Sequence, residues 1–475
     1  MKTSNINIEE TIDKAKNLLA KEKNISPALR AVFEVLLLLV CTLFQSKKLN
    51  SKNSSKPPSD DKNRKRGSNK KKSIRKPGGQ KGRAGVQLKP VTNPDKVEVI
   101  NIDKRTLPHD DYKEVGFDRR QVIDIETNVI ITEYRAQILE DSQGQRYTAE
   151  FPMSVTRPIQ YGPKTKATSV YMSQFQLTPY NRIEDYFLQQ AGLNVSVESL
   201  FNFNKEAYEL LNVFDRIAKQ QLIDSKRVNA DETGININGK RVWLHAVCND
   251  KWTYFYPHHK RGTEAMDEIG ILSKFNGVLC HDHWKAYYRY GCLHSLCNAH
   301  HLRELEWSHI EDKQTWAGKF KAFLIKLNKK VDAAGGALNK TQSAYYRKCY
   351  NKILEKAQKE CPPPDETTRK PGQRGRMKRS KSRNLLERLI GFQDDVLRFM
   401  DDKDVPFTNN QGENDLRMTK VQQKISGCFR SEEGAYIFCR IRAYLITCRK
   451  HGVGATEALE SLFIGELPSF INDGV

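Results

Sequence analysis

Arg227-Val-Asn-Ala-Asp-Glu-Thr-Gly234 begins as a strand and ends in two acids and a turn former. Asn236-Ile-Asn-Gly239 supplies the Asn-Gly pair of a two-residue hairpin. Val242-Trp-Leu-His-Ala-Val247 and Trp252-Thr-Tyr-Phe-Tyr256 read as the next two strands. Residues 263–275 read as a helix carrying Met266, Ile269, Ile271, Leu272 and Phe275. Gly277-Val-Leu-Cys-His-Asp282 is a further strand ending in an acid. Residues 311–400 read as helices, 408–424 as another, and 436–449 as the last strongly periodic one. Strands followed by a long helical stretch describe a multidomain α+β chain with an α/β core interrupted by helices.

Three acids stand out by placement. Asp231 and Asp282 end strands, and Glu413 lies in Thr408-Asn-Asn-Gln-Gly-Glu-Asn-Asp-Leu-Arg417, near a helix start capped by Asn409 or Asn410. Carboxylates at the ends of neighbouring strands converge with a third from a helix laid over the sheet. They repel one another unless a hard cation balances them. Two Mg²⁺ ions about 3.5–4 Å apart then serve an in-line phosphoryl displacement, with Mn²⁺ as a substitute. The ordinary alternative is that these acids form turns, as Asp-Glu-Thr-Gly does well.

Eight of the eleven histidines lie between 245 and 301. Cys297 and His300 are three apart and share a face on a helix. With Cys292 and His294 they offer a two-Cys, two-His set, but C-x-H-x-x-C-x-x-H is not a finger spacing. A packed Cys297/His300 pair beside the acids is the preferred reading, and no zinc is expected.

The charge is concentrated. The 475 residues hold 79 Lys plus Arg against 57 Asp plus Glu, a net +22. Residues 47–89 carry sixteen basic residues and two acids, among them Lys62, Arg64, Lys65, Arg66, Lys70, Lys71, Lys72, Arg75 and Lys76. Residues 369–383 carry eight and no acid, including Arg374, Arg376, Lys378 and Arg379. These two stretches account for the whole net charge. Two Pro- and Gly-containing basic arms point to a polyanion, whose phosphates they contact with release of counterions. Such contacts give affinity without sequence choice.

Ten scattered cysteines and the absence of any C-x-x-C exclude a disulfide scaffold and a four-cysteine zinc ribbon. The run Val35-Leu-Leu-Leu-Leu-Val-Cys-Thr-Leu-Phe44 is ten residues long. Spanning a bilayer takes about 20, so no membrane partner is expected and the run reads as a buried or self-associating helix. Residues 93–153 alternate apolar and polar, as in Gln121-Val-Ile-Asp-Ile125 and Asn128-Val-Ile-Ile-Thr132, and predict a small β-rich unit. Helices are expected over 164–176, from Pro179 to 190, and after a Ser196 cap beyond the Gly192 turn. Helix, Gly turn, helix is the helix-turn-helix pattern.

At these residues the chain resembles the DDE transposases of insertion-sequence family 66. The matching blocks run from Asn50-Ser-Lys-Asn-Ser-Ser-Lys-Pro-Pro-Ser-Asp60 and Arg75-Lys-Pro-Gly-Gly-Gln-Lys-Gly82 through Arg119-Arg-Gln-Val-Ile-Asp-Ile125 and Gln160-Tyr-Gly-Pro163. They continue with Ala230-Asp-Glu-Thr-Gly234, Cys280-His-Asp-His-Trp-Lys-Ala-Tyr287, Cys297-Asn-Ala-His300, Arg383-Asn-Leu-Leu-Glu-Arg388 and the block around Glu413. The resemblance implies an RNase H-like core with an all-helical insertion between the second and third acids. It implies Asp231, Asp282 and Glu413 as metal ligands, with Asp415 as the alternative third acid. It implies Mg²⁺-dependent cutting of terminal inverted repeats and strand transfer into target DNA, in the bacterial cytoplasm at the nucleoid. A homodimer or larger assembly on DNA and companion proteins of the same element belong to the same expectation. The family's zinc-finger region matches residues 99–150, yet no cysteine lies between Cys41 and Cys248, so that unit is expected to fold without zinc. An inactive or domesticated DNA-binding descendant is the alternative, and a resolvase-type nuclease acting on branched nucleic acid a third.

The resulting divisions are 1–46 helical, 47–92 basic linker, 93–158 β-rich unit and 159–222 helix-turn-helix region. The core occupies 223–310 and 401–450, the insertion 311–400, and a tail 451–475.

Overall fold

The structure, a computed structural model, describes residues 8–22, 24–48, 53, 88–108, 113–365, 367, 369 and 377–472. Lys62, Arg64, Lys65, Arg66, Lys70, Lys71, Lys72, Arg75, Lys76, Arg374 and Arg376 lie outside the described residues. The chain divides into two compact units, residues 65–133 and the remainder.

Within 65–133, the described residues hold a single 3-10 turn, Lys104–Thr106. The Gln121 amide accepts from the Val91 N–H and donates to the Val91 carbonyl, at 2.8 and 2.7 Å. The strands expected over 121–125 and 128–132 do not form, and Val122, Ile125 and Ile130 are exposed. Alternation fits a half-buried strand only where a pairing edge and an apolar surface meet it. No described neighbour supplies either.

The larger unit opens with α1 (Ile8–Lys21) and α2 (Pro27–Lys48). Val35, Leu36, Leu38 and Leu39 of α2 are exposed. Among the described residues no helix is long and apolar enough to cross a membrane. A short hairpin, β1 (Ile138–Glu140) and β2 (Arg146–Thr148), turns on Asp141, whose side chain accepts from the Gln143 and Gln145 N–H groups.

Four helices precede the main sheet: α3 (Pro163–Val170), α4 (Tyr180–Ala191), α5 (Val197–Leu210) and α6 (Asn212–Ile223). Pro163 sits in the first turn of α3, where its missing N–H costs nothing. The expected helix 164–176 changes to a π-helical turn at Tyr171–Phe175. Gly192 ends α4 at φ 62°, a left-handed conformation that glycine adopts without strain. The Ser196 hydroxyl accepts from the Ser199 N–H at 3.2 Å and caps α5.

The sheet comprises β3 (Arg227–Ile237), β4 (Lys240–Cys248), β5 (Thr253–His258), β6 (Val278–His281) and β7 (Leu293–Leu296), in the order β5-β4-β3-β6-β7. Asn238 and Gly239, at φ 46° and 80°, make the tight β3–β4 turn. β3, β4 and β5 are antiparallel, and β6 and β7 run parallel to β3. Between β5 and β6, α7 (Thr263–Ile269) stops at Gly270, earlier than its apolar pattern suggests.

After β7 come α8 (Asn298–Ile310), α9 (Thr315–Ala333), α10 (Lys340–Glu360), α11 (Lys381–Gly391) and α12 (Gln393–Asp401). The chain then returns through α13 (Asn410–Ser426), α14 (Glu432–Lys450), α15 (Ala455–Phe463) and α16 (Ser469–Asn472). Two apolar cores result. One joins α3–α6, α14 and α15 to the sheet through residues such as Leu200, Phe214, Leu244, Leu279 and Tyr444. The other packs the helices after β7 around Trp316, Phe320, Tyr350 and Phe399 and takes in Val278, Cys280 and Leu296. Side chains alternate along β6, so Leu279 enters the first core while Val278 and Cys280 enter the second. Each fully buried side chain of this kind contributes about 1.5–3 kcal/mol, so β6 is clamped on both faces.

Candidate active site

The parallel strands place the site. Asn229 of β3 lies level with Cys280 of β6, and Cys280 with Ser295 of β7. Two residues on, with side chains returning to the same face, come Asp231, Asp282 and Cys297. They form one row just past the parallel pairing of β3, β6 and β7. Asp282 and Cys297 follow their strands, but Asp231, expected to end a strand, lies inside β3, which runs on to Ile237 paired with β4. Asp282 follows the last residue of β6, and its Oδ1 accepts from the Trp284 N–H at 3.0 Å. His283 between them takes φ 73°.

α13 brings Glu413 to this row. Asn409, at the N-terminus of α13, does not cap the helix with its side chain. Its Nδ2 donates to the Ala230 carbonyl at 2.9 Å, and its Oδ1 accepts from Asn229 Nδ2 at 2.6 Å. Its backbone N–H donates to Cys297 Sγ at 3.2 Å. One buried asparagine therefore ties the start of α13 to β3 and to the end of β7. At Gly412 the helix runs close to β3: a Cβ there would stand 3.4 Å from the Asp231 Cβ, within ordinary contact. Asp415, the alternative third acid, turns away into the core. It accepts from Lys450 Nζ at 2.8 Å and Thr253 Oγ1 at 2.9 Å, and is 8% exposed.

Burial holds the Asp231 carboxyl well above the ordinary carboxylate range, and the negative charges of Glu232, Asp282 and Glu413 push it further the same way. Glu232, next to Asp231, is engaged elsewhere. It accepts from Tyr287 Oη at 2.6 Å and from Arg261 Nη2 at 2.6 Å. Arg261 in turn lies over the Trp243 and Trp284 rings. Burial is still the largest influence on Glu232 and raises its carboxyl. Glu413 Oε1 is buried without a hydrogen-bond partner, and His300 Nδ1, in the same condition, lies 4.0 Å from it. Burial pushes the His300 imidazole down to about 4, so it is neutral at pH 7. A divalent cation would offset the repulsion that these like charges impose on the buried Asp231.

The structure thus places Asp231, Asp282, Glu413, Cys297 and His300 in one region, but among the described residues the only three whose ligand atoms lie within 4.8 Å of one another are Cys297, His300 and Glu413. Cys292 and His294 do not join them: Cys292 packs in the first core, and His294 Nδ1 bonds His281 Nε2 at 3.1 Å. Of the described basic candidates, Lys378 is exposed, whereas Arg379 is paired with Glu387. Sequence reasoning missed the Asn229–Asn409 tie and the Glu232–Arg261–Tyr287 cluster. An Asn two residues before the first acid and another four before the third were the available signal.

The sequence model of the Transposase IS66 family matches residues 158–437, more than half of the chain, from before α3 into α14. The chain belongs to the Transposase IS66 family. All three candidate acids and the Cys297/His300 pair lie inside the matched region. Membership makes the protein a transposase, of a kind that generally uses divalent metal ions. A second model, of a family of unknown function, matches residues 2–89. No curated protein matches the chain.

Proposed function

We propose that this transposase cuts DNA strands at the terminal inverted repeats of its element and joins them to target DNA, by phosphoryl transfer at Asp231, Asp282 and Glu413. The observation that carries the proposal is the row of Asp231, within β3, and Asp282, just after β6, with α13 bringing Glu413 near enough for both acids to bear on Asp231. A sheet of three antiparallel strands extended by two parallel ones, followed by a helical insertion, supports the RNase H-like reading. Bound Mg²⁺, two ions or Mn²⁺ in their place, would activate the attacking oxygen and stabilise the departing one.

The chain's own residues do the rest. Asp231, Asp282 and Glu413 hold the charge that binds the ions, and Asn409 keeps Glu413 over the strand ends. Tyr287 and Arg261 hold Glu232 back from the cluster. The basic arms at 47–89 and 369–383 bind phosphates, and α3–α6 read the repeat as a helix-turn-helix region. Paired ends call for a dimer or larger assembly on DNA.

The test is strand cleavage of a labelled duplex carrying the element's own terminal repeat, with Mg²⁺, with EDTA, and with Asp231→Ala. Nicking at the repeat boundary in the Mg²⁺ lane alone, with end binding retained in the variant, is the expected result. Tight binding with no cut in any lane would favour an inactive DNA-binding descendant.

A further inference from the structure

The row Asp231, Asp282, Cys297 ends in a sulfur, which hard-ion phosphoryl chemistry does not require. Cys297 sits at the N-terminus of α8, where its Sγ accepts the Asn409 N–H at 3.2 Å and makes no cap bond to the helix. Burial raises the Cys297 thiol above its ordinary value, so a bound cation, not the site alone, would make it a thiolate. His300 Nδ1 and Glu413 Oε1 lie 4.0 Å apart, both buried and both without a hydrogen-bond partner. All three donor atoms lie within 4.8 Å of one another, the only such group among the described residues. Facing polar atoms left unpaired in a buried site are most simply satisfied by a common cation.

The ligand types select that cation. Thiolate, imidazole and carboxylate together suit a borderline ion such as Zn²⁺, whereas Mg²⁺ takes oxygen ligands in octahedral geometry. One thiolate and one carboxylate balance a double positive charge, and three protein ligands leave a fourth position open. The thiol proton passes to solvent as the sulfur–metal bond forms.

We propose that Cys297, His300 and Glu413 form a binding site for Zn²⁺ or a like cation, and that filling it draws Glu413 away from Asp231 and Asp282 and arrests strand cleavage. The second half rests on the proposed role of Glu413; the binding site itself does not.

The experiment uses the full reduced chain with Co²⁺ as probe. One equivalent should give a sulfur-to-cobalt charge-transfer band in the near ultraviolet, which Zn²⁺ then bleaches. Cys297→Ser should abolish the band and His300→Ala should weaken it, with circular dichroism confirming that both variants fold. In parallel, Zn²⁺ is titrated into Mg²⁺-supported cleavage, each protein scaled to its own zinc-free rate. The half-inhibiting Zn²⁺ concentration should rise at least about tenfold in Cys297→Ser. No band in the wild type, or a band unchanged in Cys297→Ser, overturns the site. A normal band with equal zinc sensitivity in both proteins overturns the arrest. If no protein cleaves, the proposed activity has failed, and the cobalt spectra still decide the site.

Discussion

Replacing Asn409 with Ala tests whether one buried amide holds the candidate site together. The substitution removes two side-chain hydrogen bonds, to the Ala230 carbonyl and from the Asn229 amide. Asn229 and Asn409 are 0% and 2% exposed, so water cannot replace either bond without entering the core. Each buried group left unpaired costs about 1–3 kcal/mol, which places the loss near 3 kcal/mol. The bond from the Asn409 backbone N–H to Cys297 remains, so the N-terminus of α13 loosens rather than detaches. A carboxylate displaced by about 1 Å in a phosphoryl-transfer site slows the reaction roughly 100-fold. Urea denaturation followed by tryptophan fluorescence measures the first quantity, and Mg²⁺-supported repeat cleavage the second. Asn409→Asp sharpens the test: it keeps the acceptor for Asn229, loses the donor to Ala230 and adds a negative charge near Asp231. It should be at least as destabilising as Ala, because a buried carboxylate oxygen then faces the Ala230 carbonyl, and cleave no better. A stability change below about 0.5 kcal/mol, or cleavage within about threefold of the wild type, would refute the assigned role of this residue.

Three further outcomes follow from other contacts. Asp415→Ala leaves Lys450, which is 11% exposed, bonded to Asn249, Trp252 and Thr253 oxygens but without its carboxylate, and should cost about 3 kcal/mol in urea denaturation, whereas Glu413→Gln should leave stability intact and abolish cleavage. Gly412→Ala should be neutral or slightly stabilising, because its Cβ reaches only ordinary contact distance. Gly412→Val should push α13 from β3 at a cost of about 1–3 kcal/mol, read by thermal unfolding. Burial lowers the His245 imidazole from 6.5 to about 4. Within that window the unfolded chain takes up a proton at this residue and the folded chain does not, so stability present above pH 6.5 is lost as pH falls. The full interval is worth about 3 kcal/mol at roughly 1.4 kcal/mol per pH unit. His245→Gln should therefore flatten the acid side of the stability–pH curve by up to that amount. An unchanged curve would count against it.

What the sequence revealed was what short-range chemistry controls. The Asn238-Gly239 turn, the Ser196 cap and the Gly192 stop each follow from a residue type and its neighbours, and each is where the pattern placed it. Asp282 was visible as an acid ending a strand, whereas Asp231 was read as ending one and lies inside β3; only the register of β3 on β6 sets the two side by side. β7 escaped notice because Leu293–Leu296 is too short to show alternation and sits among cysteines and histidines that read as metal ligands. Asn409 looked like a helix cap. Its side chain instead answers a strand far away in the chain, and no local pattern encodes that choice. The alternating residues 121–132 show the converse, a strand pattern whose described surroundings offer no partner.

The separation of Asp282 from Glu413 also has a consequence in time. Two carboxylates exist once β6 is complete, but the third is made only after α8–α12. At about 5–20 residues per second, a ribosome spends on the order of 10 s on that stretch. Through this interval the emerging polypeptide carries both strand acids and no partner for them. Asn409 then closes the arrangement by reaching back to residues synthesised long before. A chain broken off anywhere within the helical stretch keeps α3–α6 and the basic arm but never gains Glu413. Interrupted synthesis therefore yields a two-carboxylate product, never a chain that holds all three acids with part of the insertion missing.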